Sequence, residues 1–183
     1  MVPQLRNQPR PGRIRHNIAL EFNMPSTSPD RRSPRSLLLL AAFILVVIGV
    51  GGLIGANNVP GPWYQGLQKP WFNPPSWVFA PAWTTLYLLI AIAGWRTFLR
   101  DRSGSAMKLW VVQMLLNWAW SPVFFGLHLP WPAFGVIVAL WLAIVAFIVT
   151  SQRTDRISGW LFAPYLAWVS FAALLNVSIA VLN

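Results

Sequence analysis

Three sets of residues carry most of the chemistry this chain can offer. Gln113, Asn117, Trp120 and Phe124 recur at i, i+4, i+7 and i+11, which places them on one face of a helix. Tyr165, Trp168, Ala172 and Leu175 do the same further along, and Trp83 and Tyr87 stand four apart with Thr84 beside them. Indole and phenol rings stack on flat apolar molecules, and amides offer hydrogen bonds without charge. This is a chemistry of recognition rather than of proton transfer.

The groups that move protons or hold metals lie elsewhere. The acids are Glu21, Asp30, Asp101 and Asp155, all in the N-terminal tail or in breaks between apolar runs. His16 is in the tail and His128 in a short polar break, with no acid near either apolar flank. A metal site needs clustered imidazole, thiolate or carboxylate ligands. A hydrolytic triad needs a nucleophile, an imidazole and an acid together. Neither grouping occurs, and the absence of cysteine removes thiolate chemistry and disulfides. Conventional acid–base, metal or nucleophilic catalysis is therefore not expected, and no catalytic residue, metal ligand or cofactor is assigned.

Amides inside an apolar helix are costly unless paired. Gln113, Asn117 and Asn176 should face an interior, where they either bond between helices or meet a ligand. The tryptophans divide by depth. Trp63, Trp71, Trp77, Trp110, Trp131 and Trp160 lie near the ends of apolar runs and suit a membrane-interface belt. Trp83, Trp118, Trp120 and Trp168 lie deeper and serve either packing or ligand contact.

Between the first two apolar runs lies the stretch Trp63–Tyr87. It holds Trp63, Trp71, Trp77 and Trp83, Pro70, Pro74, Pro75 and Pro81, and the single charge Lys69. Proline stiffens a chain and aromatic rings supply flat faces. The combination suits a lid lying on a membrane surface, with Trp63, Tyr64, Phe72, Pro74 and Pro75 as its parts.

The elements that must position these residues follow from hydropathy and charge. The 183 residues are 56% apolar and only 10% charged, outside the range of soluble domains. No charge occurs between Arg35 and Lys69, Lys69 and Arg96, Lys108 and Arg153, or after Arg156. Each run holds at least one span of about 20 residues, and the third is divided by Gly126–Pro132 into two. The pattern predicts an all-α, integral membrane bundle of five transmembrane helices, at roughly 36–57, 77–98, 107–126, 133–151 and 158–181. Ser76 is the expected N-cap of the second. Pro122 and Pro164 fall within the third and fifth, where they either kink and widen the bundle or are ordinary membrane-helix prolines. Gly51 and Gly55 form a small-xxx-small pair that permits close helix contact.

All basic residues except Lys69 precede the first helix or lie in the second–third and fourth–fifth connections. By the positive-inside rule the N-terminus is cytoplasmic and the C-terminus lies on the opposite side. The net charge of +10 is then an orientation signal that also attracts anionic lipid headgroups, and no nucleic-acid partner is expected. Residues 1–35 form a basic, Pro- and Ser-rich tail expected to be disordered. Residues 36–183 form the single membrane domain.

Read as motifs, Trp63-Tyr-Gln-Gly-Leu-Gln-Lys-Pro70, Asn73-Pro-Pro75, Phe79-Ala-Pro-Ala-Trp-Thr-Thr-Leu-Tyr87, Leu116-Asn-Trp-Ala-Trp-Ser121 and Pro164-Tyr-Leu-Ala-Trp168 with Leu175-Asn176 stand in order along the chain. In these the chain resembles the tryptophan-rich sensory protein/translocator protein family, also called the peripheral-type benzodiazepine receptor family. The resemblance implies a five-helix bundle, usually a homodimer, that binds porphyrins, sterols and isoquinoline- or benzodiazepine-type drugs under a closing first loop. It implies that Trp83, Asn117, Trp168 and Ala172 line the pocket. It also makes Trp83 and Trp168 the candidate pair for light-dependent porphyrin degradation. Phe72 replaces the family's usual Trp before Asn-Pro-Pro, and Val112 replaces a small residue used in dimer packing by many members.

The expected ligand is thus a porphyrin or haem-type tetrapyrrole stacked on Trp83 and Trp168. Gln113, Asn117, Tyr87, Trp120, Tyr165 and Ala172 complete the pocket, and Lys69 is a partner for a propionate. A photo-oxidative activity and a facilitated porphyrin or sterol carrier are the other functions that fit.

Overall fold

A computed structural model of the chain describes residue 31 and residues 33–183. The tail expected over 1–35 falls almost wholly outside them. Among the described residues the class is all-α: no strand is present.

The first helix, α1 (Pro34–Asn57), begins two residues before the expected boundary. Ser33 caps it by accepting from the Ser36 amide at 3.2 Å, and Pro34 occupies the first turn, where its missing N–H costs nothing. At the other end the side chains of Asn57 and Asn58 donate to the carbonyls of Leu53 and Ile54, at 2.7 and 2.8 Å. Those carbonyls belong to the last turn, which lacks backbone donors. Pro60 and Pro62 then prevent continuation.

The expected lid is not all loop: it contains a short helix, α2 (Pro62–Gly66). A tight turn at Ser76–Val78 leads into α3 (Phe79–Arg100). Pro75, not Ser76, is the capping residue of that turn, and no side chain caps either element. Thr84 and Thr85 keep their hydroxyls satisfied within the helix by donating to Ala80 and Pro81 carbonyls at 2.9 Å.

The next helix, α4 (Ser105–Ser121), follows an Asp101 turn in which Oδ1 accepts from the amides of Ser103 and Gly104. Its continuation, Pro122–Gly126, is a π turn closed by Leu127 N–H donating to the Pro122 carbonyl at 2.9 Å. The expected proline kink is thus a widened turn, a common accommodation of a disrupted ladder. The remaining helices are α5 (Pro130–Thr154), the short α6 (Arg156–Leu161) and α7 (Ala163–Leu182). The predicted fifth helix is therefore two pieces. Pro164 sits at the start of α7 rather than in mid-helix, and the chain breaks at Phe162.

Among the described residues, four segments are long and apolar enough to cross a membrane: Pro34–Asn57, Ser76–Arg100, Pro130–Thr154 and Arg156–Leu182. The segment containing α4 is the exception to the expected five, being interrupted at Pro122 after 17 helical residues.

Packing runs α1 on α3, α4 on α5 and α5 on α7, with α6 wedged against α3 and α5. Trp110, expected at the interface, is only 7% exposed. Its ring lies against Gly94, in space a Cβ would need, and its Nε1 donates to the Ile90 carbonyl at 3.0 Å. The small-residue pair of α1 is used in part: Gly51 presses on the Tyr87 ring, while Gly55 meets open space.

At the end of the bundle away from the lid, Arg96 holds Asp155 in a two-pronged pair at 2.8 and 3.0 Å. Ser158 Oγ donates to the same carboxylate at 2.9 Å, and Arg31 approaches it at 3.8 Å. Burial acts to raise the Asp155 pKa, but the Arg96 and Ser158 hydrogen bonds and the two guanidinium charges outweigh it and hold the carboxyl below its ordinary value. From sequence Arg96 reads only as an orientation signal and Asp155 only as an acid between apolar runs. Together they join α3 to the α5–α6 junction.

Candidate ligand-binding site

The α1 C-terminal half, the α3 N-terminal half, the end of α4 and the middle of α7 diverge around a cavity of about 600 Å³. That volume is within the range of small-molecule sites. Two features keep it open. Glycines 51, 52 and 55 give α1 a bare wall. The π turn widens α4 where it reaches the lid.

Trp83 is the hub of the aromatic wall. Its ring lies 5.3 Å from Tyr87 and meets Tyr165 and Trp168 edge-on at 6.4 Å. Trp168 in turn meets Phe79 edge-on at 5.9 Å. These separations and angles are the favoured ones for aromatic pairs. They set aromatic rings along one side of the slot, and aliphatic side chains such as Ile137, Leu140 and Val169 line the rest.

Two hydrogen-bonded sets of polar groups stand at the slot. Tyr87 Oη donates to Asn117 Oδ1 at 3.2 Å, and Asn117 Nδ2 donates to Tyr165 Oη at 2.9 Å. A second pair lies closer to the lid: Trp120 Nε1 donates to Asn176 Oδ1 at 3.0 Å, and Asn176 Nδ2 to the Pro130 carbonyl at 2.9 Å. The helical-face argument for α4 therefore holds, since Gln113, Asn117 and Phe124 are all buried.

Of the residues predicted for the pocket, Trp83, Tyr87, Asn117, Trp120, Trp168 and Ala172 line it. Three do not. Gln113 is fully buried one turn from Asn117, off the cavity, with Nε2 donating to the Trp110 carbonyl at 2.9 Å. Tyr165 is fully buried behind Asn117. The Lys69 ammonium turns back on its own loop, donating to the carbonyls of Gln65 and Leu67 at 3.2 and 3.1 Å and lying 4.7 Å from the Tyr64 ring centre. It does not point into the slot, so the propionate partner expected from sequence is not in position.

The lid divides similarly. Tyr64 and Pro74 line the cavity, and Tyr64 Oη donates to Asn73 Oδ1 at 3.3 Å. Burial raises the Tyr64 phenol above its ordinary pKa, so it stays a neutral donor. Trp63, Phe72 and Pro75 hold the lid from outside the cavity. Trp63 meets Phe124 edge-on and stacks on His128, and Phe72 meets Phe171. Trp71, at 95% exposure, is free of the bundle. Gln68 is tied to Asn183 by two 3.0 Å bonds, amide to Oδ1 and Nδ2 to carbonyl, which fastens the lid to the end of α7.

Sequence reasoning missed the α1 wall, because glycines carry no chemical signal. It also missed Asn58 and Asn73 as lining polar groups, although Asn73 belongs to the quoted Asn-Pro-Pro motif. Among the lining residues none has a carboxylate, imidazole, ammonium or guanidinium. Among the described residues no three potential metal ligands cluster. The slot can stack and hydrogen-bond, and it offers no general acid or base of ordinary strength.

Comparison with known proteins agrees with this architecture. The profile of the TspO/MBR family matches residues 39–182. A protein from Rhodobacter capsulatus named Protein CrtK is 40% identical over 155 residues, covering 80% of this chain and 94% of that protein. The tryptophan-rich sensory protein of Cereibacter sphaeroides is 39% identical over 139 residues, 76% of this chain and 88% of its own. The translocator protein of Sus scrofa is 35% identical over 147 residues, 75% and 86% respectively.

Proposed function

The chain belongs to the TspO/MBR family of integral membrane proteins, and from that premise we propose that it is a receptor for a porphyrin-type tetrapyrrole. The observation that carries this reading is the slot itself. It is an aromatic cavity of about 600 Å³ with uncharged hydrogen-bonding groups at one wall and a proline-stiffened lid above. A planar, apolar macrocycle would lie against Trp83 and Trp168, with Tyr87 and Asn117 at its edge. Sterols and isoquinoline- or benzodiazepine-type molecules share the flat apolar character and fit the same wall.

In this reading the segment Ser105–Gly126 is the fifth crossing. At 1.5 Å per residue, its 17 helical residues and 5-residue turn extend roughly 33 Å, enough for the hydrocarbon layer. The arginine-rich ends then face the cytoplasm, and the lid and C-terminus face the opposite side. Two copies would pair in the bilayer as a homodimer.

The test is titration of the detergent-solubilised full chain with protoporphyrin, read by quenching of tryptophan emission. Saturable quenching with one site per chain is expected, and linear, unsaturable quenching would refute the receptor reading. Mass spectrometry of small molecules co-purifying from the native host would name the physiological ligand.

The Trp83–Trp168 contact favours a second reading, in which bound porphyrin is oxidised under light with dissolved dioxygen as the electron acceptor and these indoles as intermediaries. Indole oxidation needs no acid or base, which suits the slot. Loss of the Soret band no faster than for free porphyrin in the same detergent would exclude it.

A further inference from the structure

His128 is the one non-glycine residue with positive φ among the described residues, at 58°. It follows the π turn, and the next amide, Leu129 N–H, reaches back to the Val123 carbonyl at 3.2 Å. This is the position at a helix end where glycine is usual, because a Cβ is disfavoured in the left-handed region. The imidazole is exposed, so burial does not explain its presence. Its contact is the Trp63 indole, stacked at 4.3 Å and 20°. Trp63 belongs to α2 of the lid and also meets Phe124, whose other side lines the slot.

We propose that His128 is the positioning residue that keeps the lid closed, and that protonation of its imidazole tightens the hold. An imidazolium over an indole face gains a cation–π attraction that the neutral ring lacks. The groups able to interfere are few. On the lid, burial raises the Tyr64 phenol above its ordinary value, and the Lys69 ammonium is bound to the loop's own carbonyls. The π turn and the first turns of α5 carry no titratable side chain. At the Gln68 end of the lid the contact is the uncharged Asn183 side-chain amide. Asp101 and Asp155 are at the far end of the helices. A proton gained by the His128 imidazole therefore changes one charge at this contact, and ligand should leave more slowly from the acidified protein.

This inference rests on the reading of residues 58–75 as a lid, so the decisive measurement is made without ligand. Hydrogen-exchange protection of residues 63–69 is compared at pH 5.5 and 7.5 in the full chain in detergent, using protection factors to remove the intrinsic pH effect. Wild type should be about two- to five-fold more protected at pH 5.5, the size of one exposed cation–π contact. His128→Phe should keep the stack and lose the pH difference. His128→Gly should lose protection at both pH values while the melting temperature holds or rises, because the backbone strain is relieved. Wild-type protection that ignores pH, or a His128→Gly lid as protected as wild type, overturns the proposal. A His128→Gly protein that loses protection equally in all helices also overturns it, by showing a general structural role. Failure of wild type to bind porphyrin would refute the receptor reading and leave this measurement intact.

Discussion

Asn117 on α4 stands between two phenols, accepting from Tyr87 Oη at 3.2 Å and donating to Tyr165 Oη at 2.9 Å. One amide thus ties α3, α4 and α7 together at the wall of the slot. Because neither tyrosine has another side-chain partner, the amide cannot be removed without leaving polar groups in an apolar setting. Asn117→Leu should destabilise the detergent-solubilised protein by about 1–3 kcal/mol in thermal or denaturant unfolding. Tyr87→Phe should cost less, about 0.6 kcal/mol, because it breaks one of the two bonds and leaves only Asn117 Oδ1 without its donor. If Asn117→Leu melts with wild type, the chain of bonds does not hold the helices.

The edge-on pair Trp83 and Trp168, 6.4 Å apart, supplies the prediction for binding. Each aromatic contact is worth about 0.5–1.5 kcal/mol beyond area burial, or roughly two- to ten-fold in affinity. Trp83→Phe and Trp168→Phe should each weaken protoporphyrin binding by that factor, and the double variant by more. The chain has 12 tryptophans, so enough indoles remain for the same quenching assay. An unchanged midpoint in the double variant would remove macrocycle stacking on this wall.

Much of this site was legible in the sequence, for a physical reason. Helical periodicity fixes which side chains share a face, so Asn117, Trp120 and Phe124 could be turned inward from spacing alone. Distance from an amide to its partner is not periodic. Gln113 lies on the same face as Asn117 yet sits one turn too deep to meet the cavity. Lys69 reads from sequence as a propionate partner, because sequence does not reveal that a loop folds its carbonyls onto its own ammonium. Nearness to a helix end predicts an interface position for Trp110, but Gly94 on a neighbouring helix opens a place for it inside. The Arg96–Asp155 pair joins residues 59 apart, and charge counting has no means of finding it.

Glycine on α1 should matter only where it meets a ring. A Cβ at Gly51 would fall within 3 Å of Tyr87 ring atoms, whereas none would meet anything within 4 Å at Gly49, Gly52 or Gly55. Gly51→Ala should push Tyr87 away from Asn117 and cost about 1–3 kcal/mol, as overpacking does. Gly49→Ala should be close to neutral or stabilising, since alanine favours the helix. Equal melting temperatures for the two variants would show that α1 is free to move away from α3.

Acid should release the opposite end of the bundle. The folded Asp155 pKa lies below its unfolded value of 3.8, held there by Arg96, Ser158 and Arg31 against the effect of burial. A depressed carboxylate adds stability that is fully present above the unfolded pKa and disappears as pH falls through the folded one. The difference in melting temperature between wild type and Asp155→Asn should therefore be constant above about pH 5 and shrink below about pH 4. Arg96→Gln should be destabilised over the same upper range, because it leaves a buried carboxylate without its main partner. The Asp155→Asn,Arg96→Gln double variant should recover part of that loss, since it buries no unpaired charge. A wild-type to Asp155→Asn difference that stays constant from neutral pH to pH 2 would show that the Arg96 contact contributes no pH-linked stability.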